Sequence, residues 1–231
     1  MYAINTIKFE SLPSTNTYVK KNITSIPVPS IIIADNQTAG RGRQGKKFYS
    51  PDSTGLYMTL VFELSFEHTL ITCAAAIAVC NALEEYNIKA NIKWVNDIFV
   101  EKSKVCGILT ELFKSNNKSY VALGIGINLT TQNFPDDIPF AGSINIECDR
   151  IILANRIAEI FFKTLKTMDD SQIKSEYENR LFVLNKEIQY IKNGIMFNAT
   201  VKGINELCHL IVEKENGETD TLFSGEISIK I

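Results

Sequence analysis

The stretch best equipped for chemistry is Gly40-Arg41-Gly42-Arg43-Gln44-Gly45-Lys46-Lys47, which carries four cations and three glycines. Glycines let a backbone approach a ligand with its N–H groups exposed, and arginines grip carboxylate or phosphate with a planar fork. Together they describe a flexible anion clamp. The spacing nearly spells the phosphate loop G-x-x-x-x-G-K-[ST], but Lys47 stands where the Mg2+-binding hydroxyl belongs. Phe48-Tyr49-Ser50-Pro51 then breaks the helix such a loop requires. A solvated basic turn and a nucleic-acid contact are the other readings of these residues taken alone. Other candidates are weaker in isolation. Lys104, after Glu101-Lys102-Ser103, reads as a surface lysine, Asn96-Asp97 as a turn and Ser14 as a helix cap. Gly124-x-Gly126 is no dinucleotide fingerprint, because Leu129 replaces the third glycine.

The elements that must hold these residues can be read from periodicity. Ser14 caps a short helix through Lys21. Ile31-Ile32-Ile33-Ala34 is a buried strand, and Leu56–Leu64 alternates like another. Leu70, Ala74, Ile77, Ala78 and Ala82 mark a helix over Thr69–Tyr86. Strand-like runs follow at Ile92–Val100, Val105–Phe113 and Tyr120–Leu129, with Lys114–Lys118 as a hairpin connection. Thr130–Glu147 reads as a long loop, and such loops are often functional. Asp149 caps a helix carrying Ile152, Leu153, Ile157, Ile160, Phe161 and Leu165, and a second helical stretch runs to about Leu184. Beyond it, short strands alternate with turns at Lys192-Asn193-Gly194 and Asn216-Gly217. The expected class is α+β, with domains at 1–184 and 185–231, the second a small antiparallel β-barrel.

The chain has 231 residues, 45% of them hydrophobic, enough to bury a full core. Its net charge of -2 offers no general basic face for nucleic acid. The first residues lack the basic start and apolar run of a signal peptide, and no run reaches the roughly 20 apolar residues of a membrane span. Five scattered cysteines without a C-x-x-C pair, with His68 and His209 the only histidines, argue against a zinc site or disulfide framework. The expectation is a cytoplasmic protein with buried free thiols.

Several motifs in order carry a family resemblance. Gln37–Gly45 resembles the biotin-binding signature of biotin–protein ligases. Ser14-Thr15-Asn16 resembles their early Ser-Thr-Asn segment. Lys93-Trp94-Val95-Asn96-Asp97 resembles their Lys-Trp-Pro-Asn-Asp motif, with valine for the usual proline. Lys104-Val105-Cys106-Gly107-Ile108-Leu109 resembles the strand bearing their essential lysine, and Gly124–Leu129 their Gly-x-Gly-x-Asn strand. Ser224-Gly225-Glu226-Ile227-Ser228 resembles the Gly-Glu-Ile-Ser of their small C-terminal domain. The resemblance spans essentially the whole chain.

It implies a mixed β-sheet catalytic domain with packed helices, plus an SH3-like barrel. It also implies ATP-dependent activation of biotin to biotinyl-5'-AMP, with Mg2+, and transfer to a lysine of a biotin carboxyl carrier protein domain of a biotin-dependent carboxylase. By resemblance, Lys104 lies by the biotin carboxylate and the α-phosphate, with Arg43 as its catalytic companion. Ser14, Thr15, Gln37, Gly40, Arg41 and Gly107 belong to the biotin side. Arg43, Lys46, Phe48, Lys93, Asn96, Gly124, Gly126 and Asn128 belong to the ATP and adenylate side. Gly107, Gly124 and Gly126 would leave room for ligand flat on the sheet, Asn128 would meet the adenine edge, and Asp97 would help hold Mg2+. Larger bacterial members begin with a DNA-binding helix-turn-helix. Here the Ser-Thr-Asn segment comes almost at once, so the expectation is a short form that is a catalyst and does not bind DNA. Membrane partners are not expected, and a homodimer is left open. The competing readings are lipoate–protein ligase and a non-enzymatic binding protein.

Overall fold

Ile31-Ile32-Ile33-Ala34 has no solvent-facing side, because its strand lies in a sheet covered on both faces. A computed structural model describes residues 4–64, 70–192, 194–223 and 227–229. Seven strands form the main sheet: β1 (Asn5–Leu12), β2 (Ser30–Gln37), β3 (Gly55–Glu63), β4 (Asn91–Lys93), β5 (Asp97–Val100), β6 (Ser103–Ser115) and β7 (Lys118–Asn128). Their order is β1-β2-β3-β7-β6-β5-β4. β1 and β2 run parallel, and the remaining neighbours antiparallel. The fold is thus mixed α+β.

Helices α2 (Ile71–Glu84) and α3 (Arg150–Thr167) cover one face, with α4 (Asp170–Asn179) packed beside α2. The short α1 (Thr15–Asn22) covers part of the other. Period-two alternation divides the side chains between the faces. Ile31, Ile33, Leu56, Met58, Leu60 and Phe62 enter the α2–α3 core, while Ile32, Ala34 and Val61 meet Val19 and Ile23 beneath α1. Fully burying each of the larger side chains among these contributes about 1.5–3 kcal/mol. The alanines of α2 leave little bulk between it and its helical neighbours.

Local signals set the ends of elements. Ser14 accepts from the Thr17 N–H at the start of α1, and Asp149 from Ile151 and Ile152 at the start of α3. Asp169 and Gln172 form a capping box on α4. Asn116 and Asn117, with φ of 47° and 60°, turn the β6–β7 hairpin.

Three elements differ from expectation. β1 was not foreseen: it is an edge strand whose Ile7 and Phe9 are only partly buried, so its pattern is faint. The single run predicted over Ile92–Val100 is two strands, because Trp94-Val95-Asn96 turns the chain back and pairs Lys93 with Asp97. The second helical stretch ends at Asn179, short of Leu184. Thr69, Asn193 and Ser224-Gly225-Glu226 lie outside the described residues.

The C-terminal strands β8 (Glu187–Lys192), β9 (Ile195–Ile204), β10 (Leu210–Lys214), β11 (Thr219–Leu222) and β12 (Ile227–Ile229) form a second sheet in the order β11-β10-β9-β8-β12. It curls on itself: Asp220 of β11 accepts from Lys192 and Tyr190 of β8, at 2.6 and 3.2 Å. Its apolar face, including Ile188, Val201 and Leu210, belongs to the same continuous core as Ile173 and Tyr177 of α4. Trp94 Nε1 ties the two sheets by donating to the Cys208 carbonyl at 2.8 Å. Residue 184 therefore separates two sheets that share one core. Among the described residues no helix is long and apolar enough to cross a membrane.

Candidate active site

Ladder pairing arranges the α1-side face of the main sheet in rows. Tyr57, Gly126, Gly107 and Asp97 form one row across β3, β7, β6 and β5. Thr59, Gly124 and Leu109 form the next, and Val61, Ala122 and Glu111 a third. Directly opposed residues share a face, so the glycines leave a hollow at its centre. A cavity of about 320 Å3 lies there. Its walls include Ser14, Thr15, Asn16 and Gln37 on one side, and Asn96, Asp97, Lys104 and Asn128 on the other. Arg41 to Phe48 and Phe134 to Ala141 close over it.

The first wall is a continuous hydrogen-bonded chain. Thr15 donates twice to Gln37 Oε1, from its backbone N–H at 2.9 Å and its hydroxyl at 3.2 Å. Gln37 Nε2 donates to Ser50 Oγ at 3.0 Å. The Thr59 hydroxyl lies 2.8 Å from that of Thr15 and 2.6 Å from Asn16 Oδ1. Asn16 Nδ2 donates to the Leu109 carbonyl at 3.3 Å and to Glu111 Oε2 at 3.0 Å. Side chains bonded to this degree are set before any ligand arrives.

The glycine-basic stretch is a tight hairpin. Gly42 N–H donates to Lys46 O at 2.7 Å, and Phe48 N–H to Gly40 O at 3.0 Å. Gln44 and Gly45, with φ of 53° and 77°, make its tip. The hairpin is strapped on both sides. Arg41 pairs with Glu111 at 3.1 Å, and Arg43 Nη1 donates to Asn96 Oδ1 at 3.0 Å. Gly40 does not line the cavity; a Cβ there would strike the Phe48 carbonyl, so its role is to let the hairpin close.

Lys104 Nζ reaches the Gly107 row, where it meets Asp97 Oδ1 at 2.7 Å. Its backbone is clamped by the long loop: Lys104 N–H donates to Phe140 O at 2.7 Å, and Gly142 N–H to Lys104 O at 3.0 Å. Asn128 steadies that loop by donating to Gly142 O at 3.0 Å. The buried Asn128 Oδ1 has no hydrogen-bond partner among the described residues. Lys93 is not part of the wall. It sits on β4, one strand farther out, with Nζ 5.8 Å from the Phe99 ring centroid.

All three glycines line the cavity; Gly124 also lies against the Asn16 amide, and Gly126 and Gly107 against the Phe48 ring. A Cβ at Gly126 would collide with that ring, which also packs edge-on to Tyr57 at 6.4 Å. Gly126→Ala should therefore destabilise the fold by about 1–3 kcal/mol through overpacking. That corresponds to roughly 2–12 °C in Tm for a chain of this size. In a Phe48→Ala background the same change should cost almost nothing. Equal costs in both backgrounds, read by thermal melts, would refute this account of Gly126.

Asn16, Thr59, Glu111 and the 134–141 segment were not among the expected site residues. Asn16 stood in the Ser-Thr-Asn motif and the segment in a conspicuously long loop, but Thr59 and Glu111 had no local signal. Burial pushes the Glu111 carboxyl up, yet Lys20, Asn16 and Arg41 more than offset it and hold it below the ordinary range. The cysteines stand apart from the cavity wall. Four are buried, and burial pushes the Cys80 thiol up to about 12 and that of Cys106 well above its usual value.

A cavity ringed by cations on a glycine-centred mixed sheet is matched by a known family. Residues 8–128 match the biotin/lipoate A/B protein ligase family, and the chain belongs to it. Among solved structures it is similar to biotin protein ligase from Aquifex aeolicus in complex with biotin and ATP, with a TM-score of 0.80, 28% identity and 98% of both chains covered. Among curated proteins it is 38% identical over 119 residues to the bifunctional ligase/repressor BirA of Bacillus subtilis, covering 48% of this chain and 37% of that one. It is 25% identical over 232 residues to the Escherichia coli protein of the same name, covering 95% of this chain and 72% of that one. The chain thus spans just over a third of the Bacillus relative's length in that match.

Proposed function

We propose that this chain is a biotin–protein ligase: it joins biotin to ATP as biotinyl-5'-AMP, then passes the biotinyl group to a lysine of a biotin carboxyl carrier protein domain. One arrangement supports this above all. Along β7, the polar wall stands over Gly124, Lys104 Nζ reaches the Gly126 row, and Asn128 Oδ1, without a partner among the described residues, comes next. Gly124 and Asn128 are four residues apart, roughly 13 Å on a strand. An acyl-adenylate has the same sequence of groups: a polar head, an anionic centre and a base whose exocyclic amine needs an acceptor.

In the first step a carboxylate oxygen attacks the α-phosphorus and pyrophosphate leaves. Two anions must meet, so Lys104 offsets their repulsion and stabilises the added charge, while Arg43 holds the hairpin over them. In the second, the carrier lysine's amine attacks the acyl carbon and AMP leaves. Arg41 and Lys46 add positive charge on the hairpin, and Phe48 borders the adenylate. Among the described residues no three His, Cys, Asp or Glu side chains cluster as a metal cage. Mg2+ would therefore enter as the magnesium complex of ATP, which needs only one or two protein carboxylates. Asp97 would supply one such carboxylate once Lys104 turns to the substrates.

The dense donor–acceptor wall suits a ureido ring better than the apolar dithiolane of lipoate, since a site built on hydrogen bonds rejects a group that cannot return them. The curled C-terminal sheet fits the SH3-like barrel of the family's small domain, with residues 1–184 as the catalytic part. Intact-mass spectrometry tests the reading. With ATP and biotin, a biotin carboxyl carrier domain should gain one biotinyl group, and a carrier with its target lysine changed to arginine none. Modification with lipoate but not biotin would replace this reading with the lipoate one.

A further inference from the structure

Glu111 stands behind the cavity wall rather than in it, on the β6 row one step beyond Gly124. Its carboxylate collects three partners. Lys20 Nζ lies 2.7 Å from Oε1, Asn16 Nδ2 donates to Oε2 at 3.0 Å, and Arg41 Nη1 lies 3.1 Å from Oε1 and 3.3 Å from Oε2. Asn16 and Lys20 are one turn apart on α1, so they reach the same carboxylate from one helix face. Helix, hairpin and sheet therefore meet at a single side chain.

Two consequences follow for the wall. With Nδ2 drawn to Glu111 and Leu109 O, Asn16 must turn Oδ1 to Thr59, which orients the Thr59 hydroxyl as a donor. Arg41 is nearly half exposed, and Glu111 holds its guanidinium at the mouth against the pull of water. We propose that Glu111 is a positioning residue for the acyl-substrate half of the site, acting through Asn16 and Arg41. The inference rests on the ligase reading above.

The sign of its effect separates positioning from charge. By Coulomb's law alone, removing a negative charge beside an anion site strengthens anion binding. Positioning requires the opposite, because biotin would then have to order Arg41 and Asn16 on arrival.

The test is steady-state pyrophosphate exchange with varied biotin and saturating ATP, on wild type, Glu111→Gln, Arg41→Ala, their double variant and Lys20→Met. Glu111→Gln should raise KM for biotin about tenfold with kcat within about twofold. In the Arg41→Ala background the same change should raise it clearly less, since the two residues act together. Lys20→Met, which leaves both Glu111 contacts to the wall, should keep KM within about twofold. A KM for Glu111→Gln that is unchanged or lower, a loss confined to kcat, or full additivity with Arg41→Ala overturns the proposal. So does a tenfold rise in Lys20→Met, or loss of the cooperative melt in Glu111→Gln, either of which would make the cluster merely structural. A folded wild type without biotin-dependent exchange removes the ligase reading and this inference with it. An active wild type with an unshifted Glu111→Gln removes the inference alone.

Discussion

Lys104→Gln should lose on the order of a hundredfold or more in the rate of adenylate formation while keeping its fold, because it removes preorganised positive charge where two anions meet. The substitution keeps the first three side-chain carbons and replaces Cε and Nζ by an amide of similar reach, a small change in packing. Its ion pair with Asp97 is partly exposed, so melting should change little. The backbone clamps from Phe140 and Gly142 do not depend on the side chain and should persist. Exchange kinetics and a thermal melt together check this. Near-wild-type exchange in the folded variant would remove Lys104 from the mechanism.

Arg43→Gly should change the fate of the intermediate more than its formation. An acyl-adenylate that escapes acylates bystander amines, so the enzyme must keep it covered. The hairpin tip is strapped on this side by Arg43 to Asn96, and Asn96 is itself locked to Ile108 by bonds of 2.8 and 3.0 Å. Glycine removes the strap and adds backbone freedom at the tip. Arg41 still holds the other side through Glu111. With biotin and ATP, the variant should label albumin, which is not a carrier, at least about tenfold faster than wild type, taking one lost charged hydrogen bond as worth roughly 1.5–3 kcal/mol. Normal adenylate formation without extra albumin labelling would refute this retaining role for Arg43.

What could be read from the sequence was what local chemistry writes. Ser14 and Asp149 announce their helices because a cap needs only its own next few residues. The three isoleucines of β2 announce a strand covered on both faces. The cations of the hairpin, Lys104 and Asn128 were legible through motif order, and the cavity brings them together. Lys93 shows the limit of that approach. It belongs to the same motif as Asn96 and Asp97, yet the turn at Trp94 leaves it one strand outside the cavity. Glu111 shows the converse. Its partners Lys20 and Arg41 are 91 and 70 residues away in sequence, so no local pattern marks it. The glycines of β7 were recognisable as a hollow, but Asn16 and Phe48, which border it, come from distant segments. β1 was missed because an edge strand shows half its alternation to water.

The central claim is that this cavity activates biotin with ATP. Its most direct test is exchange of labelled pyrophosphate into ATP, with the purified chain given biotin or lipoate separately and no carrier present. The account predicts exchange that requires biotin and is absent with lipoate. Exchange supported by lipoate, or none with biotin from a chain that melts cooperatively, would contradict it.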